Sequence, residues 1–164
     1  MVQRSMLAPP ELGRFYGLDA EPVVKLDASM LDQALPYGGN ESTGEPSLQE
    51  LQTRCLDFVR RPLVPGAIPR DRAVKAAGWE GSNQNWPGAQ VIAHFGSGTH
   101  YHWYQELPTG DRIDFLRDRL IWLVNFSHHE QSNSTAFDSR PTTKRHSAVV
   151  DAGTGRRVIS YRFP

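Results

Sequence analysis

The chain has 164 residues, 38% of them hydrophobic and 22% charged, which is enough apolar material for a full core and too much for a disordered protein. No apolar run approaches a bilayer span, residues 1–8 lack the apolar stretch of a signal peptide, and the single cysteine, Cys55, has no intramolecular partner. The cytoplasm is therefore the expected compartment, with no membrane partner.

Formal net charge is zero but unevenly spread: −4 over residues 1–60, −1 over 61–139 and +5 over 140–164. A neutral whole argues against strong non-specific nucleic-acid binding, while the basic end leaves room for a local phosphate-binding face. Arginines that merely keep a hairpin edge soluble would give the same pattern.

In chain order, Pro9-Pro10-Glu11 opens a brief helix that stops near Gly17, and Asp27 caps another over residues 28–35, ended by Pro36. Residues 37–46 (YGGNESTGEP) read as a loop. Ser47 and Glu50 form a capping box, and Leu48, Leu51, Cys55, Phe58 and Val59 then share one face at helical spacing. Cys55 on that stripe reads as a small buried hydrophobe rather than a reactive thiol. Pro62 and Pro65-Gly66 end this helix, and a second short one over 70–77 closes at Gly78.

From Ala89 the period changes to two. Strands are expected over 89–95, 99–107, 112–116 and 119–126, with turns at Gly96-Ser97-Gly98, Pro108-Thr109-Gly110 and Asp118. Residues 120–124 (LIWLV) are apolar on both faces, as a central strand covered on both sides would be. A polar loop over 132–143 precedes strands at 147–150 and 157–163, which flank a hairpin turn at 151–155. The expected fold is α+β: one domain over 1–164, irregular over 1–45, helical over 46–78 and mainly β over 89–164. Its N-terminal helices pack on one side of a meandering antiparallel sheet.

Four of the six histidines, His100, His102, His128 and His129, fall within about thirty residues. On one strand over 99–107, His100, His102, Tyr104 and Glu106 line a single face, with Arg112 just past the next turn and His128-His129-Glu130 just past the central strand. Such a face suits acid/base chemistry or a metal cradle, and is equally the wet side of an ordinary sheet. His146, beside Lys144 and Arg145, reads as a solvated residue.

The segment 101–115 (YHWYQELPTGDRIDF), followed by Leu120–Phe126 and His128-His129-Glu130, resembles the last strands of RelE-type toxins. The resemblance covers about residues 99–132 and implies a metal-independent endoribonuclease without a cofactor. Its partners would be RNA or the ribosome, with an antitoxin-like protein. It places Arg112 on the phosphate with Tyr104 orienting it, and His102 with His128 or His129 as the pair that takes the 2′-proton and protonates the leaving oxygen.

A second reading takes His100-x-His102-x-x-x-Glu106 as similar to the first cupin motif. One divalent transition metal would then be held by His100, His102 and Glu106, with His129 as the fourth ligand. A third reading is a non-catalytic binding, inhibitor or immunity-type protein, in which Trp79, Trp86 and the loop over 81–85 form an interface.

Overall fold

The computed structural model describes residues 33–37, 39, 44–79, 86–101, 104–106, 108–110, 112–114, 116–130 and 142–163, with the backbone alone for 104–106, 112–114, 130 and 142. The expected helix over 9–17 and most of that over 28–35 lie outside the described residues. Leu35 itself is not helical and makes an isolated antiparallel bridge with Arg60.

Helix α1 (Leu48–Thr53) opens on the predicted capping box: the Glu50 N–H donates to Ser47 Oγ at 3.1 Å, and the Ser47 N–H donates to Glu50 Oε1 at 3.3 Å. The helix is much shorter than its apolar spacing suggests. Cys55 enters the left-handed region at φ 66, and the chain leaves as strand β1 (Leu56–Arg60). The run from 55 to 59 satisfies both periodicities, and burial of Leu56 and Phe58 on alternate positions decides for the strand. The segment expected to be wholly helical thus contributes an edge strand. Helix α2 (Arg70–Ala76) agrees with expectation, with Gly78 at φ 100 just beyond it.

Strand β2 (Gln90–His100) runs straight through Gly96-Ser97-Gly98, where a turn was expected. A Cβ on Gly96 would stand 2.1 Å from the Val59 carbonyl oxygen, so the glycine marks the close approach of β1 rather than a change of direction. β2 stops at His100, and Tyr101 lies in a turn. Strands β3 (Tyr104–Glu106) and β4 (Arg112–Asp114) then pair only with each other among the described residues. The single strand expected over 99–107 is therefore two strands in two different sheets.

Strands β5 (Arg119–Glu130), β6 (Thr142–Asp151) and β7 (Arg157–Phe163) complete a five-stranded antiparallel meander, in the order β1-β2-β5-β6-β7. β5 and β6 both extend beyond the expected boundaries, which makes His128, His129, Lys144, Arg145 and His146 strand residues.

The fold is α+β, with β5 at the centre of the sheet and apolar on both faces. Leu120, Trp122 and Val124 pack with Ala73 and Val74 of α2, and Ile121 and Leu123 pack with Leu51 of α1 and Phe58 of β1. The helices thus cover opposite faces, because β1 carries the chain around the sheet between them. Among the described residues no helix is long and apolar enough to cross a membrane.

Candidate active site

The start of β2 and the end of β5 meet at one end of the sheet, where Gln90 pairs with Ser127. The start of β6 and the end of β7 lie at the same end, with Arg145 opposite Phe163 and His146 opposite Arg162. A groove of about 730 Å³ opens there, lined by Trp86, Pro87, His128, His129, Lys144, Arg145, His146, Arg162 and Phe163. Its size is that of a small-molecule or nucleotide site.

Register assigns these side chains to faces. His128 is opposite Lys144, and His146 is opposite both Phe126 and Arg162. Directly paired residues share a face, as do residues two apart on a strand. His128, Lys144, His146 and Arg162 therefore form a two-by-two patch of imidazoles and cations across three strands. The His128 and His146 rings are stacked with centroids 5.8 Å apart and planes within 10°. The row continues through Phe126, 5.1 Å from His146, to Trp79, 6.0 Å from Phe126, which anchors the patch in the core. At its outer end the Trp86 ring lies 4.2 Å from that of His128.

His129 belongs to the opposite face. Its ring packs on Gly88, where a Cβ would collide with it, and its Nδ1 is hydrogen-bonded to Thr143 Oγ1 at 3.3 Å. On that face Arg145 is held by Glu50 through two bonds of 3.1 and 2.8 Å, with its guanidinium 5.7 Å from the centre of the Phe163 ring. The Arg145 guanidinium, with the Ser47 N–H assisting, holds the Glu50 carboxyl below the usual glutamate value.

Among the described residues, the other sequence candidates do not line this groove. His100 ends β2, buried against Tyr161 with ring centroids 6.5 Å apart, and Tyr161 in turn stands 6.3 Å from the ring of Phe163. Of the expected four-ligand metal set, only His100 and His129 have described side chains. Among the described residues no group of three His, Cys, Asp or Glu is placed to hold a metal ion.

Tyr104 and Arg112 lie three and four residues from Tyr101 and Leu116, which flank the His100 end through Tyr101 N–H to Cys55 O and His100 N–H to Leu116 O bonds. At 3.8 Å per residue their backbones stay within about 15 Å of that end, and their side chains lie outside the described residues. His102 lies outside the described residues, as does the side chain of Glu106.

His146, read from the sequence as solvated, is a half-buried wall of the groove. The alternation Lys144-x-His146 continuing into Ala148 and Val150 is the signal that could have found it. A second unforeseen cluster lies on the α1 face. Buried Glu45 accepts from His94 Nε2 at 2.5 Å and from Asn125 Nδ2 at 3.3 Å, and Asn125 Oδ1 accepts from Ser147 Oγ at 2.6 Å. Tyr37 stands edge-on to His94, its hydroxyl donating to the Pro46 carbonyl at 2.8 Å, and burial pushes that phenol up from its ordinary value. This network fastens the stretch before α1 to the sheet.

No family model matches the chain, and no curated protein or solved structure is significantly similar to it.

Proposed function

We propose that the groove binds a phosphodiester of RNA and cleaves it without a metal, with His128 and His146 as the acid/base pair and Lys144 and Arg162 on the phosphate. The observation that carries this reading is the patch itself: two imidazoles 5.8 Å apart, each opposite a cation on the neighbouring strand. A scissile phosphate over the patch is within reach of both rings. One imidazole takes the proton of the ribose 2′-hydroxyl, and the 2′-oxygen bonds to phosphorus as the bond to the 5′-oxygen breaks. The other imidazole protonates that leaving oxygen. The products are a 2′,3′-cyclic phosphate and a 5′-hydroxyl, so every proton is accounted for by the pair. Lys144 and Arg162 oppose the negative charge that grows on the non-bridging oxygens.

This reading keeps the activity implied by the RelE resemblance and His128 from its residues, while His146, Lys144 and Arg162 take the roles expected of His102, Tyr104 and Arg112. The test is incubation of the purified chain with single-stranded RNA in excess chelator. Cyclic-phosphate ends are expected, with the rate falling on both sides of a pH optimum. Replacing either His128 or His146 by alanine should slow cleavage on the order of 10²–10⁴-fold. Cleavage that survives the double substitution, or that the chelator abolishes, overturns the proposal, as does wild-type protein that leaves the RNA intact.

A further inference from the structure

We propose that Trp86 is a base-stacking residue, so that the groove takes single-stranded RNA with one unpaired base on the Trp86 ring and the adjoining phosphate on Lys144 and Arg162. This rests on the groove being the RNA site proposed above, and adds which form of RNA enters it and which residue selects that form.

Three of the tryptophans can be compared. Trp79 and Trp122 are 8% and 6% exposed and belong to the core packed under α2. Trp86 is 41% exposed and stands outside both core clusters. One part of its ring is committed to His128, at 4.2 Å and tilted by 55°, and the rest forms the outer wall of the groove. A large aromatic left in water costs free energy that a bound ring would recover. The groove wall beyond His128 carries Lys144 and Arg162, so the ligand that fits pairs a flat ring with a negative charge close by. A nucleotide has that constitution.

Stacking on a side chain requires a base released from its helix, because a duplex offers only base edges and backbone to a protein. A base on Trp86 next to the phosphate on Lys144 would also splay the strand at the bond lying over His128 and His146. That couples selection of the single strand to placement of the scissile phosphate.

The test separates binding from cleavage by using a ten-nucleotide 2′-fluoro RNA, which lacks the attacking hydroxyl, alongside its blunt duplex and an abasic version of the same strand. Fluorescence anisotropy with the full chain should show the single strand bound about tenfold more tightly than the duplex. Trp86→Ala should weaken single-strand binding by roughly tenfold and Trp86→Phe by much less, while the abasic strand should not distinguish wild type from Trp86→Ala. Equal binding of single strand by wild type and Trp86→Ala overturns the inference, as does equal binding of strand and duplex. Binding with this pattern but no cleavage of ordinary RNA upholds the stacking role and defeats the catalytic proposal. No binding of any of the three probes defeats both and leaves the exposed tryptophan to a protein partner.

Discussion

Arg119 and Asp151 show how a single pair can decide whether one end of this sheet holds together. Both are nearly fully buried, at 4% and 2% exposure, with Arg119 Nε donating to Asp151 Oδ2 at 2.7 Å. The other carboxylate oxygen accepts from the Gly153 and Thr154 N–H groups and from Thr154 Oγ1, so Asp151 also shapes the turn into β7. Asp151→Ala removes the carboxylate from a buried guanidinium and releases the turn, and should cost about 3–5 kcal/mol, read as a lowered denaturation midpoint in urea. A loss below about 1 kcal/mol would mean that water reaches Arg119.

The glycines of β2 give a sharper contrast at the same scale. A Cβ at Gly96 meets backbone, the Val59 carbonyl oxygen at 2.1 Å, whereas one at Gly98 meets the tip of Ile121 at 2.6 Å. Gly96→Ala must push β1 off the sheet, while Gly98→Ala needs only an isoleucine rotamer change. The first substitution should therefore be the more destabilising by about 1–3 kcal/mol, measured by thermal or urea unfolding of the two variants.

Elements were legible in this sequence where one periodicity ruled and obscure where two competed. α2 with its glycine stop, the doubly apolar β5 and the final hairpin were all readable, because each carries a long signal and its own punctuation. The stretch after the capping box was not. Cys55 takes the left-handed conformation that usually advertises itself as glycine, so nothing in the letters marks the end of α1.

Gly96-Ser97-Gly98 misled in the opposite sense, since a glycine pair that lets a neighbouring strand approach looks the same as a turn until that neighbour is known. A turn at 96–98 left residues 99–107 to be read as one strand with a row from His100 to Glu106, whereas the chain ends β2 at His100 and starts β3 at Tyr104. The capping box itself survives as a test of α1. Ser47→Ala should cost about 1 kcal/mol of stability, and Ser47→Asp should restore most of it.

At the scale of the whole molecule, Glu50 from the acidic first third meets Arg145 of the basic last residues beside the groove. Glu50 of α1 grips Arg145 with both carboxylate oxygens, in the geometry an incoming phosphate would use. Because the folded state holds the Glu50 carboxyl below its ordinary value of 4.5, the pair stabilises the fold above that value, and the contribution fades as pH falls through the lower folded value. Glu50→Gln should therefore flatten the loss of stability below about pH 4.5 in acid titrations followed by circular dichroism. It should also release Arg145 as a third cation for the ligand.

The two effects are separable by salt. With Lys144 and Arg162 as the phosphate contacts, the logarithm of single-strand RNA affinity should fall with the logarithm of salt concentration at a slope of about −1.4. Glu50→Gln should steepen that slope to about −2.1, and Lys144→Ala should halve the wild-type value. A slope unchanged by Glu50→Gln would mean that Arg145 is held by its other contacts, the Phe163 ring among them. Glu50 would then fasten α1 to the sheet without restraining the groove.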